Sequence, residues 1–231
     1  MKLDRRLQII ASMIIRDEPA ADIGTDHALL PVYLVKNHLV PAMVVSDINP
    51  QPLGRAERII RDYNLLKSID IRLGDGLKVL DYGEVSTVVV AGLGGDTMAA
   101  ILSQDWKKAN SFKRFIFQPM SRAASLRNIL SCQGWPIIDE EIVWENNRFF
   151  EVICCEPDNR PYQLTELEMD VGPVILSKRS PMIMAYLVYM LKKYQAMQES
   201  LLRAQNINEE KMREIRLKSF KLKEVLYAGT S

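Results

Sequence analysis

Short, continuous apolar runs alternate with longer amphipathic stretches through the first two thirds of the chain, the pattern of a parallel sheet covered by helices on both faces. It predicts strands at residues 20–23, 42–46, 69–73, 87–91 and 114–118, and helices at 28–37, 50–65, 96–102 and 122–133. The run Thr-Val-Val-Val-Ala at 87–91 is β-branched and lacks polar alternation, so it belongs at the centre of the sheet. Strands at 136–144 and 149–155 then follow one another directly across Glu145-Asn146-Asn147-Arg148, a turn-forming segment that predicts an antiparallel hairpin at the sheet edge. Residues 1–17 mix charged and apolar positions as a short amphipathic helix does.

Beyond Pro157-Asp158-Asn159-Arg160-Pro161, a linker bracketed by prolines, the period changes. Ile183, Leu187, Met190, Tyr194, Met197 and Leu201 form a seam at alternating spacings of four and three, and Met212, Ile215, Leu222 and Leu226 repeat it, with Ser219 at one seam position. Asn206-Ile207-Asn208 breaks the two runs. The expectation is an α/β domain over residues 1–160, a doubly wound Rossmann-like sheet whose last strand is antiparallel, and a C-terminal helical coiled-coil domain over 161–231. Five parallel units closed by a hairpin match the class I methyltransferase sheet; a dinucleotide-binding domain would add another crossover.

Composition narrows the function classes. The longest apolar run, 181–191, is closed by Lys192 and Lys193 and falls well short of the ~20 residues of a membrane helix. The first residues lack the pattern of a signal or transit peptide. Cys132, Cys154 and Cys155 form no C-x-x-C pair, which reads as reduced thiols in a cytoplasmic protein without a metal site. Net charge is +1, yet residues 162–231 hold 11 Lys and Arg against 8 Asp and Glu, so the basic bias sits in the tail.

The chemistry converges on the strand ends. Ala21-Asp22-Ile23-Gly24-Thr25-Asp26-His27 joins a strand end, a glycine turn and two acids to a helix, the order in which a nucleotide-like cofactor is held. Acids in that turn disfavour an anionic pyrophosphate and suit an ammonium or sulfonium, which points to S-adenosylmethionine. Asp47 ends the second strand, where an acid accepts from a ribose or, alternatively, caps the helix beginning at Pro50. Gly74-Asp75-Gly76 ends the third, a tight turn that can also accept from an adenine amino group. Ala91-Gly92-Leu93-Gly94-Gly95 ends the fourth and lacks the Asp or Asn, two prolines and aromatic with which amino-directed methyltransferases hold an exocyclic nitrogen. A ring nitrogen, whose lone pair is already available, is therefore the better acceptor.

Three residues are candidates for the reacting end. Asp26 could stabilise a cationic product or cap the next helix, His27 could orient Asp26 or be structural, and Gln118 could pair with a base edge. The cofactor set expected at the strand ends is Asp22, Gly24, Thr25, Asp26, His27, Asp47, Ile48, Asp75, Gly76, Ala91, Gly92, Gly94 and Gly95.

These segments, with residues 2–11, Leu30-Pro31, Gln118-Pro119 and Asp170-Val171-Gly172-Pro173, resemble the bacterial tRNA methyltransferase family that modifies N1 of adenine 22. The resemblance covers nearly the whole chain. It differs at Asp47, where many members carry a glutamate, at Leu93, where methionine is common, and at Met120, where asparagine is usual. It implies S-adenosylmethionine as methyl donor, tRNA as substrate, and tRNA backbone contacts from basic residues of the second tail helix, Arg216, Lys218 and Lys221 among them. The oligomeric state stays open, monomer or weak homodimer. An alternative from another class is a cofactor-binding scaffold that recruits a protein through its coiled coil; a hydride-transferring enzyme is a more distant one.

Overall fold

A computed structural model describes residues 2–25, 27–203 and 208–228. Two compact units divide the chain, Met1–Gln163 and Leu164–Ser231. In the first, helix α1 (Arg5–Met13) precedes β1 (Ala20–Ile23), α2 (Leu29–Lys36), β2 (Met43–Asp47), α3 (Pro50–Asp62) and β3 (Ile69–Leu73). A 3₁₀ turn at Gly76–Val79 leads to β4 (Thr87–Ala91), α4 (Gly95–Ser103), α5 (Trp106–Ala109), β5 (Arg114–Gln118), α6 (Ala123–Cys132), β6 (Ile137–Glu145) and β7 (Arg148–Cys155).

The strands form one sheet in the order β3-β2-β1-β4-β5-β7-β6, with β4 at its middle. β1 to β5 are parallel, and β7 slots antiparallel between β5 and β6. Single left-handed residues set several helix boundaries. Ala28 (φ 48°) delays α2 by one residue from the predicted start, Asn64 (φ 57°) follows the early end of α3, and Arg122 (φ 55°) precedes α6. At the hairpin tip Asn146 and Asn147 both take positive φ, the conformation a two-residue turn requires.

Each face of the sheet has its own core. Val88, Val90, Phe115, Phe117 and Trp135 pack on the α4–α6 side, whereas Val89, Ile116, Ile10, Leu34 and Ile60 pack on the α1–α3 side. Alternation along β4 and β5 produces this split, and full burial of each large apolar side chain is worth roughly 1.5–3 kcal/mol. Arg127 of α6, with no exposed side chain, binds Glu140 of β6 (2.7 Å) and Glu151 of β7 (2.6 Å), tying the hairpin to the helix layer.

The second unit is helical: α7 (Glu166–Val171), α8 (Pro173–Ser177), α9 (Pro181–Leu202) and α10 (Glu209–Tyr227). Three of its helices begin on side-chain caps, a Thr165–Glu168 capping box for α7, Ser180 for α9 and Asn208 for α10. α9 packs against α10. The α9 seam is buried from Ile183 to Tyr194, then Met197 emerges into solvent. Lys218 of α10 is buried and ion-paired with Asp170 (2.8 Å), Glu214 (2.6 Å) and Glu166 (3.3 Å). Burial works against its ammonium, but the hydrogen bonds to Asp170 and Glu214 outweigh it and hold Lys218 above the usual lysine range. Lys218 is thus a clamp between α10 and α7 rather than a member of the solvated basic face on which the tail pattern placed it. Among the described residues no helix is long and apolar enough to cross a membrane.

Candidate active site

The alternation that divides the two cores also selects which strand-end residues meet. Ala21 and Ile23 point into the α4–α6 core, so Asp22 faces the side of α1; likewise Phe115 and Phe117 point one way and Gln118 the other. A cavity of about 380 Å³ opens at this corner. β1 and the turn after it contribute Asp22, Gly24, Thr25 and His27; the end of β4 contributes Ala91, Gly92 and Leu93; Met120 follows β5, and Arg6 and Leu7 reach in from α1.

Asp22 is its buried anion. Desolvation pushes the carboxyl up to about 6, and only the Thr25 hydroxyl works in the opposite direction. Gly24 sits at φ 83°, a conformation a side chain would strain, and its amide donates to the Ser46 carbonyl (2.7 Å), drawing the turn across β2. The site also holds a cation that the sequence pattern did not single out. Arg6 Nη1 donates to Gln118 Oε1 (2.8 Å), and its guanidinium lies 5.6 Å from the Phe150 ring centroid. Gln118 is fully buried, and its amide nitrogen donates to the Pro119 carbonyl (3.0 Å) and faces Met120 Sδ (3.7 Å). Both ends of this amide are engaged within the chain, its oxygen by Arg6 and its nitrogen by Pro119, at the position the sequence offers as a partner for a base edge.

A second group of residues occupies the same sheet edge outside this cavity. Asp47 Oδ1 accepts from the Asn49 amide (2.7 Å), and Gly74 donates to the Asp47 carbonyl (3.0 Å), so β2 and β3 end side by side. Lys78 (2.6 Å) and Gln104 (3.2 Å) both donate to Oδ2 of Asp75, and the Lys78 ammonium holds that carboxyl below its usual range. Ile48 and Leu73 flank the two acids with 62% and 61% of their surface exposed, unusual for branched apolar residues at strand ends. Leu73 carried no sequence signal beyond its place in the strand.

Some expected residues serve packing. A Cβ on Gly95 would fall 2.2 Å from the Arg122 carbonyl oxygen, and the Gly95 amide donates to Ser121 (2.8 Å), so this glycine lets α4 meet the loop after β5. Gly94 faces Ser121 Oγ and Gly76 faces Ile101, both against protein. Gly92 differs: φ is 82°, and a Cβ there would meet nothing within 4 Å. Asp26 lies outside the described residues. Burial pushes the Cys154 thiol up to about 12 and holds the Cys155 thiol well above its usual range, which removes both as nucleophiles. Among the described residues no group of His, Cys, Asp or Glu could hold a metal ion.

The chain matches the family model described as tRNA (adenine(22)-N(1))-methyltransferase over residues 20–224. It is 31% identical to the Bacillus subtilis protein of that name, over 99% of both chains. Streptococcus pneumoniae Sp1610 in complex with S-adenosyl-L-methionine superposes with a TM-score of 0.82 at 28% identity, covering 97% of this chain and 100% of that one. Mycoplasma capricolum TrmK in complex with S-adenosyl-homocysteine gives 0.80 at 26%, covering 98% of each.

Proposed function

This chain belongs to the tRNA (adenine(22)-N(1))-methyltransferase family, and from that premise we propose how its residues divide the work. The enzyme methylates N1 of adenine 22 in tRNA with S-adenosylmethionine as donor. The observation that carries the residue assignment is the pairing of a buried acid and a held arginine in one cavity. A methionine moiety is a zwitterion; Asp22 receives its ammonium and Arg6, steadied by Gln118, its carboxylate. The cavity fits such a ligand, because its anion is desolvated with a single hydroxyl in support and Gly92 leaves the β4 wall open.

The adenosine half falls to the β2–β3 edge. Asp47 accepts from the ribose, Asp75 accepts the adenine amino group through Oδ1, which carries none of the described hydrogen bonds, and Ile48 and Leu73 cover the ring. Gly24, Thr25 and Ala91 let backbone approach the ligand. When bound, S-adenosylmethionine supplies a sulfonium methyl to N1, whose in-plane lone pair needs no base to free it, so positioning and charge stabilisation carry the catalysis. His27 lines the cavity at the reacting end, and the role proposed for Asp26 is to balance the cationic methylated ring.

Residues 161–231 form the tRNA-binding domain, built on the coiled coil of α9 and α10, in a cytoplasmic enzyme. Its phosphate contacts come from Arg213, Arg216 and Lys221, which are exposed and have no ion pair among the described residues. Reaction with unmodified tRNA and labelled cofactor, followed by mass-spectrometric mapping of the product nucleoside, tests the whole reading. Methyl at N1 of adenine 22, lost in the Asp22→Asn variant, is expected; incorporation unaffected by that variant overturns the cavity assignment.

A further inference from the structure

The strand that closes the sheet brings one more cation to its carboxyl edge. β7 runs antiparallel to β5, with Phe117 level with Ile153, so its first residues, Arg148 to Phe150, lie past the end of β5 on the edge where the cavity opens. Val152 and Cys154 pack into the α1–α3 core, so by alternation Phe150 and Arg148 share that face with Asp22 and Gln118. The surroundings hold Arg148 without neutralising it. Its Nη2 donates to the Met120 carbonyl (3.0 Å), and its guanidinium lies 4.4 Å from the centroid of Phe150, the same buried ring that Arg6 faces. Met120 is pinned in turn, its amide donating to the Leu93 carbonyl (2.8 Å), and Met120, Leu93 and Arg6 all line the cavity. Arg148 is exposed, no acid pairs with it among the described residues, and its Nη1 and Nε carry none of the described hydrogen bonds. A guanidinium oriented by a carbonyl and a ring, with nitrogens to spare, is set to receive an oxyanion at the rim of the site.

The reaction indicates which oxyanion. N1 of adenine lies on the edge used in base pairing, so the target enters the site unpaired, and a base turned inward draws its own phosphates to the rim. We infer that Arg148 binds a phosphate flanking adenine 22 and so holds the unpaired nucleotide at the mouth of the cavity, between the segment after β5 and the hairpin tip. The inference rests on the proposed placement of the cofactor in this cavity and adds a substrate contact to the first unit. The cofactor carboxylate is a poorer ligand for Arg148, because Arg6 lines the cavity and Arg148 does not.

The full-length enzyme and unmodified tRNA transcripts supply the test. Arg148→Gln is expected to lower kcat/KM for tRNA roughly twenty-fold, as loss of a charged contact does, with cofactor Kd unchanged. It should also lessen the slope of log affinity against log salt by about 1. Arg148→Lys, which keeps the charge but not the planar guanidinium, should recover part of the loss. The deciding substrates are transcripts carrying a neutral methylphosphonate on the 5′ or the 3′ side of adenine 22. One of them should cost the wild type roughly twenty-fold and Arg148→Gln about two-fold at most, because the variant has no charge left to lose. Equal penalties in the two enzymes, or wild-type kcat/KM in Arg148→Gln, overturn the inference. Should Arg148→Gln not fold, Arg148→Lys takes its place in the comparison, and full wild-type activity on both modified transcripts overturns the inference without any variant. In each of these outcomes the wild type still methylates N1 of adenine 22, so the function stands, whereas cofactor affinity untouched by Asp22→Asn would fail the cavity assignment itself.

Discussion

Two corners of one sheet edge hold their acids in opposite conditions. At β1, Asp22 is buried with a hydroxyl for company and its carboxyl is pushed up to about 6. At β2 and β3, Asp47 and Asp75 reach solvent already engaged, by a backbone amide and by an ammonium. A desolvated charge is intolerant of vacancy: it costs the free protein stability and gives back that cost when a cation arrives. An exposed acid loses little when empty and gains little when filled, because water and Lys78 are adequate substitutes. On the proposed assignment, recognition of the charged half of the cofactor is concentrated at one corner, and the other offers shape and hydrogen bonds.

The sharpest way to break this contrast is Asp22→Asn. Cofactor Kd should rise about 100-fold, as expected when a desolvated charge-assisted contact is lost, read by calorimetric titration. The same variant should gain stability without ligand. The folded carboxyl near 6 lies above its unfolded value, so between pH 4 and 6 the native chain retains a proton the unfolded chain has released, and stability falls as pH rises through that window. Thermal melts should show Asp22→Asn above wild type at pH 8 by roughly 3 kcal/mol, and equal to it at pH 4. A variant less stable at both values would mean that the acid is structurally required.

The pH dependence of binding comes next in size. Only the ionised carboxyl receives an ammonium, so wild-type affinity should drop nearly ten-fold per unit below pH 6, and the drop should vanish in Asp22→Asn. Gln118→Ala follows, with about a five-fold loss of cofactor affinity and an unchanged pH profile, since it releases Arg6 without touching the acid. Direct contact of Gln118 with the base would instead lower kcat and spare cofactor Kd. Smallest is Asp75→Asn, two- to three-fold, screened further by salt. An Asp75 effect equal to that of Asp22 would dissolve the distinction between the corners.

Much of this was legible in the residues. The apolar run at 42–46 and the β-branched run at 87–91 read as buried strands, and the glycine turn after β1 points to a ligand because few other needs put acids and positive φ at a strand end. The class I methyltransferase order followed from five parallel units closed by a hairpin, and the S-adenosylmethionine preference from the acids at the strand ends. What stayed hidden was set by tertiary contact. Arg6 looks like one more charge on an amphipathic helix until Gln118, remote in sequence, meets it. Lys218 looks like its neighbours Arg216 and Lys221 until α7 closes over it. Gly95 looks like its neighbours in the glycine segment, and only the Arg122 carbonyl explains it. Helices as short as α5, α7 and α8 complete too few turns to show a period.

The Arg6–Gln118 hydrogen bond spans a sequence separation of 112 residues. At the pace of synthesis, roughly 5–20 residues per second, Arg6 waits on the order of ten seconds for its partner to be made. Until then the guanidinium lacks the Gln118 amide that steadies it. On the assignment proposed for Arg6, cofactor capture is thus a late event in the life of each molecule, waiting until half of its length has been translated.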